Sequence, residues 1–315
     1  MDLTLLSGSS HPSLTLAIAE HLGLPVARSS VKKFSNENMK VRIEESVRGN
    51  DVFVVQTSCP PVSDNLLELL IYIDALRGAS AGRITAVLPY FPYARSDKKD
   101  EPRISITARL VAELIQAAGA DRVLTLDLHS PQIHGFFRIP MDHLTAVPLL
   151  CGALARDKDL MSAPVVIAAD VGEAKDAGRY ARRLAAPLAI VDKRRFGDDE
   201  SARAANLVGD VSGRHAVIVD DEMATGGTVF EAAKFVMSRG AASVRAAVVH
   251  PVLSGDAVER FRASGLANLT VTDTLPLPEA KRDPRIETVS VAPLLAEAIR
   301  RIHDGDSVAE MMSTR

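Results

Sequence analysis

Two adjacent carboxylates, Asp220 and Asp221, stand at the end of the apolar run Val217-Ile218-Val219. Glu222-Met223-Ala224-Thr225-Gly226-Gly227-Thr228 follows, and Val229-Phe230-Glu231-Ala232-Ala233 beyond it has helical character. This order predicts a buried strand, a turn of small residues and a helix N-terminus. Small residues let backbone N–H groups approach an anion, and the helix end adds partial positive charge. The acids beside that cradle suit ribose hydroxyls, or a magnesium ion held through water. The combination points to a phosphorylated sugar rather than a bare phosphate. The acids precede the glycines and no Gly-Lys-Ser/Thr follows, which excludes a Walker-type nucleotide loop.

Three further places carry chemically useful residues. His129 follows the apolar run Leu124-Thr125-Leu126-Asp127-Leu128, where a neutral imidazole can bind a metal or contact a triphosphate. Asp170 ends the apolar run Val165–Ala169 and opens Asp170-Val171-Gly172-Glu173. Lys193-Arg194-Arg195 follows a predicted strand over Ala189–Val191 and would, on its own, read as a solvated basic loop.

The elements that must position these residues come twice. Leu24-Pro25-Val26 and Lys32-Lys33-Phe34 recur as Ala186-Pro187-Leu188 and Arg194-Arg195-Phe196, with Pro25 and Phe34 both displaced by 162. Arg77-Gly78-Ala79 recurs as Arg239-Gly240-Ala241 at the same offset. Strands that are apolar almost throughout, alternating with helical patterns, predict parallel sheets covered on both faces. The expected fold is therefore α/β, with two tandem domains over residues 1–147 and 148–315. A helix over Ser105–Ala118 and a strand over Val123–Leu126 belong to the first. A C-terminal helix from about Pro293 to Ile302 is expected to pack back on that first domain. Only the second copy keeps the acidic turn. The first has Gln56-Thr57-Ser58-Cys59-Pro60-Pro61 in its place, so it is expected to have lost sugar-phosphate binding.

Bulk composition narrows the function further. The net charge of -3 and 4% aromatic content argue against a nucleic-acid binder. Two cysteines, Cys59 and Cys151, make neither a disulfide framework nor a Cys-based zinc site, so a reducing cytoplasm is expected. No apolar run approaches the roughly 18 residues of a membrane span. The N-terminus reads as a strand, without a basic leader.

The acidic turn resembles the PRPP loop of the type I phosphoribosyltransferase fold. Together with Pro89-Tyr90-Phe91-Pro92-Tyr93-Ala94-Arg95, Asp127–Phe137, Val191–Arg195 and His250–Gly255, it resembles the ribose-phosphate pyrophosphokinase family over essentially the whole chain. The resemblance implies two tandem phosphoribosyltransferase-like domains. It also implies magnesium-dependent transfer of diphosphate from ATP to ribose 5-phosphate, yielding PRPP and AMP. On that resemblance His129 helps hold the magnesium–ATP complex, and Asp170 matches a metal-binding Asp in a pyrophosphate loop whose usual form is Asp-x-Gly-Gly. Gly172 keeps the first glycine; Glu173 replaces the second, and its carboxylate should repel diphosphate unless it points away or engages magnesium. Lys193 and Arg195 match residues that stabilise the transition state of diphosphoryl transfer, and residues 196–200 would form a closing lid. Asp220 and Asp221 would bind ribose hydroxyls, while Ala224, Thr225, Gly226, Gly227 and Thr228 would hold the 5-phosphate. No residue is an obvious strong base, so magnesium and positioning would activate the anomeric hydroxyl.

On the nucleotide side Arg95 matches an ATP-contacting arginine, and Ser96 stands where glutamine is common. Phe34 can stack on adenine, but Asn36 and Asn38 replace the carboxylates of the usual Phe-Ser-Asp-Gly-Glu pattern, so donor selectivity is expected to differ. The resembled family uses that hairpin in the neighbouring subunit's site, which implies dimers assembled into a homohexamer. The charged stretch Lys98–Arg103 would be a flap over ATP, with Arg103 as its contact. These departures also motivate a second reading, a non-catalytic regulatory subunit. Retention of the chemical cluster argues against it. A PRPP-consuming transferase would need one copy of the fold and a base-binding hood. A dehydrogenase would need a Gly-x-Gly-x-x-Gly after a strand.

Overall fold

The computed structural model describes residues 1–194 and 203–312. The first half contains β1 (Leu3–Ser7), α1 (Pro12–Leu22), β2 (Val26–Ala27), β3 (Ser29–Lys33), β4 (Met39–Ile43), β5 (Asp51–Val55), α2 (Val62–Gly78), β6 (Arg83–Leu88), α3 (Thr107–Ala118), β7 (Arg122–Leu126) and β8 (Met141–Leu144). Six of its strands form a parallel sheet in the order β2-β1-β5-β6-β7-β8, while β3 and β4 make a separate antiparallel hairpin. All five residues of β5 are buried. A strand covered by helices on both faces must be apolar throughout rather than alternating, which is why Val52-Phe53-Val54-Val55 reads as one continuous run.

The second half contains α4 (Val147–Leu154), α5 (Lys158–Ser162), β9 (Pro164–Ala168), α6 (Ala174–Arg183), β10 (Leu188–Arg194), β11 (Arg203–Val208), β12 (His215–Glu222), α7 (Gly227–Ser238), β13 (Ser243–His250), α8 (Ala257–Ala263), β14 (Leu269–Thr272), β15 (Ile286–Val289), α9 (Ala292–Asp304) and α10 (Ala309–Met312). Its sheet runs β11-β10-β9-β12-β13-β14-β15. Without β11 this is the order of the first sheet, strand for strand, so the 162-residue repeat is a repeat of topology. The chain is an α/β protein of two topologically equivalent units with mostly parallel sheets.

One difference from expectation concerns β10. The basic cluster does not follow a strand ending at Val191. Instead Lys193 lies within β10, which pairs antiparallel with β11 through a register shift between Asp192 and Lys193. Charged residues masked the strand in the sequence because an edge hairpin needs no continuous apolar run.

A shared core joins the sheets. Leu5, Phe53 and Leu124 of the first pack in one cluster with Val166, Val217 and Val249 of the second, and with Leu295 and Ile299 of α9. Helix α9 packs on α1, as expected for the C-terminal helix. It is tied down where Asp51, 1% exposed, meets both Arg83 and His303 Nδ1, while Arg83 also donates to the Ile302 carbonyl. Among the described residues no helix is long and apolar enough to cross a membrane.

Each sheet reverses its connection direction beside its first strand, and ligands of open α/β sheets bind at the carboxyl ends of strands there. In the first half this crevice is filled by the protein itself. Glu68 accepts hydrogen bonds from the Ser9 amide and hydroxyl, Gln56 Oε1 accepts from the Ser10 amide at 3.1 Å, and a Cβ on Gly8 would lie 2.1 Å from the same Gln56 oxygen. The donors that could cradle an anion are taken.

Candidate active site

The corresponding crevice of the second half is open, and the first half closes one side of it. A cleft of about 750 Å³ is lined by Asp170 after β9, Glu173 before α6, Asp220 to Val229 from β12 into α7, and Arg95 and His129 from the first half. His129 Nδ1 lies 2.8 Å from Asp221 Oδ2, a contact between residues 92 positions apart. Tyr90 adds a second tie, donating its hydroxyl to Glu222 Oε2 at 2.9 Å. His250, fully enclosed, bridges as well: Nδ1 meets Thr274 Oγ1 and Nε2 meets the Asp127 carbonyl, each at 3.0 Å.

Asp127 turns the chain toward His129. It adopts φ +30, and its carboxylate accepts from the Thr145 hydroxyl at 2.7 Å and the Ala146 amide at 2.6 Å. Burial nevertheless pushes its pKa up to about 6. The Leu128 amide donates to His143 Nε2 at 2.8 Å, and burial with the nearby Arg179 charge lowers His143 to about 4, keeping it a neutral acceptor. The loop that presents His129 is thus held from both sides.

The acids behave as a group. Burial and the hydrogen bond to Asp221 raise Asp220 well above the carboxylate range. Burial also disfavours charge on Asp221, but the bonds from His129 and Asp220 outweigh it and hold Asp221 below its ordinary value. His129 is raised in turn, chiefly by that bond. Burial, then repulsion from Asp221 and Asp170, pushes Glu173 up to about 7. Oxygens of Glu173, Asp220 and Asp221 lie within 4.8 Å of one another, a hard oxygen donor set of the kind magnesium prefers. His129 and Asp170, the residues expected to hold the metal, line the same cleft beside that set. His129 contacts Asp221, and Asp170 Oδ1 accepts the Glu173 amide at 3.1 Å.

The turn after β12 is clamped from below. The Met223 amide donates to the His250 carbonyl at 3.0 Å, the Ser254 amide to Ala224 at 2.8 Å, and Arg260 Nη1 to the Thr225 carbonyl at 3.0 Å. Gly226 sits at φ +73, and a Cβ there would lie 2.4 Å from the Phe230 ring, so only glycine fits. Ala224, Thr225, Gly227 and Thr228 line the cleft where α7 begins, and the first amides of a helix have no partner within it.

Several residues expected at the site do not line this cleft. Phe34, Asn36 and Asn38 occupy the exposed tip of the β3–β4 hairpin, where Asn36 Oδ1 accepts the Asn38 amide at 3.2 Å. Ser96 caps the Pro89–Arg95 segment through its own backbone, and Arg103 lies in an exposed stretch. Gly172 is exposed at the rim of the loop. Arg195 lies outside the described residues. The contributions of Tyr90, Glu222, Arg260 and His250 had no role assigned from sequence. Tyr90 and His250 fall within the segments that carry the resemblance and Glu222 adjoins the acid pair, whereas no sequence signal pointed to Arg260.

Residues 3–119 match the family described as the N-terminal domain of ribose phosphate pyrophosphokinase, and residues 197–313 match a phosphoribosyl synthetase-associated domain. A ribose-phosphate pyrophosphokinase of Caldanaerobacter subterraneus subsp. tengcongensis is 50% identical, covering 99% of this chain and 98% of the relative. One from Deinococcus radiodurans is 48% identical over 99% of this chain and 98% of its own length. The crystal structure of phosphoribosylpyrophosphate synthetase from Mycobacterium smegmatis superposes with a TM-score of 0.91 at 42% identity, covering 97% of this chain and all of that one. With the acidic turn, the His129 loop and the duplicated sheets in one arrangement, the chain belongs to the ribose-phosphate pyrophosphokinase family.

Proposed function

We propose that the chain transfers diphosphate from ATP to the anomeric hydroxyl of ribose 5-phosphate, giving PRPP and AMP, with magnesium as cofactor. The observation that carries this reading is the His129–Asp221 contact, which brings the nucleotide-side loop of one half against the pentose-side acids of the other. Asp220 and Asp221 orient the ribose hydroxyls, and residues 224–228 receive the 5-phosphate on amides and hydroxyls. The 5-phosphate end is thereby fixed, and the anomeric oxygen lies toward Asp170, Gly172 and Glu173, whose backbone receives the diphosphate. His129 and Arg95 meet the triphosphate from the opposite wall, with Ser96 beside them and Arg103 on the flap. Lys193 and Arg195 stabilise charge as diphosphate moves. Magnesium, when bound, neutralises phosphate oxygens; His129, Asp170 and the acids of the cleft are the residues that would hold it. Alignment of two fixed reactants supplies most of the rate enhancement such a site requires.

The hairpin bearing Phe34, Asn36 and Asn38 serves the adenine of a neighbouring subunit's site, in a homo-oligomer built from dimers to a hexamer. The exposed tip supports this, and the Asn36–Asn38 turn bond supports an altered donor preference. Buried, unpaired Cys59 and Cys151 fit a cytoplasmic enzyme. Purified protein incubated with ATP, magnesium and ribose 5-phosphate should form AMP and PRPP in equal amounts. Absence of AMP under every magnesium, phosphate and donor-nucleotide condition would reject the enzyme reading in favour of a regulatory subunit.

A further inference from the structure

Between the two halves, behind the cleft, lies a cavity with about 50 Å³ of room for water. Glu173, Asp220 and Asp221 line both spaces, so the cavity adjoins the reacting groups. Val147, Val219 and Val249 give it apolar walls, interrupted by Asp127 and His143 from the first half and Tyr180 from α6. Tyr180 is 3% exposed, and its buried hydroxyl has no hydrogen-bond partner among the described residues. His143 accepts the Leu128 amide at Nε2, which fixes the neutral tautomer with its proton on Nδ1. That N–H has no partner among the described residues either. Asp127 supplies the complement: each of its oxygens accepts one bond, from Thr145 or from Ala146, and has capacity for another. Unmet donors and an acceptor around one space are what a buried water needs, since it makes about three bonds to groups the protein leaves unsatisfied. A single water takes roughly 10–15 Å³ of such room, so several fit.

We infer that this cavity holds an ordered water cluster bonded to Tyr180 Oη, His143 Nδ1 and Asp127, and that Tyr180 is through it a positioning residue for diphosphate transfer. The inference rests on the functional reading above and adds a residue to it. Helix α6 begins directly after Glu173, and His143 holds the Leu128 amide next to His129. Water between Tyr180 and His143 therefore spaces the turn that receives diphosphate against the loop that meets the triphosphate. A water bridge is nearly as strong as a direct hydrogen bond, so it can hold two elements in register where their side chains do not meet. The pentose cradle at residues 224–228 is clamped separately, by His250, Ser254 and Arg260, and lies outside this link.

The test is Tyr180→Phe in the full chain, which removes one oxygen and keeps the ring in its apolar setting. A crystal structure of the substrate-free wild type should show water on Tyr180 Oη and on His143 Nδ1, and the variant should lose the water held by the hydroxyl. Calorimetry with magnesium–ATP should show binding about tenfold weaker in the variant, while ribose 5-phosphate affinity stays within about twofold. A dry cavity in the wild type, or unchanged nucleotide affinity in the variant, overturns the inference. Equal losses for both ligands overturn it too, because they report a general loosening of the fold. Bound water with a selective nucleotide loss, in a protein that makes no AMP, defeats the enzyme reading and leaves the link between the two walls standing.

Discussion

His129 and Asp221 restrain each other across the cleft, so each loses more than one hydrogen bond when the other is removed. In His129→Ala the buried Asp221 keeps its desolvation and loses its strongest compensation. Turnover should fall about a hundredfold or more, the usual loss on removing one preorganised charge-stabilising group. Lys193→Ala should lose turnover by orders of magnitude while ribose 5-phosphate still binds. Near-normal turnover would remove Lys193 from the chemistry. His143 makes a different prediction, one about acid stability. Its folded pKa is about 4, against an ordinary 6.5, because burial penalises the imidazolium. As pH falls through 6.5 the unfolded chain takes up a proton that the folded chain refuses. Stability therefore declines down to about pH 4 and levels off below, by up to ~3 kcal/mol. His143→Gln keeps an acceptor for the Leu128 amide, so denaturant unfolding at pH 7.5 and 4.5 should show a smaller acid-induced loss than in the wild type. Equal losses would clear His143.

At the level of elements, the turn between β12 and α7 binds phosphate only if its backbone is held in one shape. Gly226 provides the positive φ, and Arg260 pins the Thr225 carbonyl while lying 5.3 Å over the Phe230 ring. Gly226→Ala should raise KM for ribose 5-phosphate about tenfold or more with the fold retained, as read by kinetics and circular dichroism. Arg260→Ala should raise KM by a smaller factor and leave kcat within about threefold, because it acts on the cradle rather than on the reacting atoms. Strands and helices of this half were legible in the sequence wherever burial on both faces made them apolar. The β10–β11 hairpin was not, since its edge position permits the charged residues that also define the basic cluster.

For the whole molecule, duplication without equivalence is the organising fact. Apart from β11, both sheets have the same strand order, yet one crevice is plugged by Gln56 and Glu68 and the other is open. Helix α9 closes back on the first sheet through Asp51, Arg83 and His303. Asp51→Ala leaves Arg83, 29% exposed, and His303 without their buried partner; it should cost about 3 kcal/mol and lower the melting temperature by several degrees, with AMP formation per folded chain unchanged. The expectation that the first copy lost its sugar-phosphate crevice follows from the missing acids and glycines. How it was lost is visible only in the packing of Glu68 and Gln56 onto Ser9 and Ser10.

The sequence alone determined the class of sheet, the repeat and the phosphate turn, because burial pattern and backbone chemistry are properties of neighbouring residues. Tertiary structure decided what meets what. Glu173 reaches the acid pair because β9 and β12 are paired side by side in one sheet, whereas His129 reaches Asp221 and Tyr90 reaches Glu222 only because two sheets share one core and abut at their carboxyl ends. The last two distances depend on helix packing between the halves, which no local periodicity encodes.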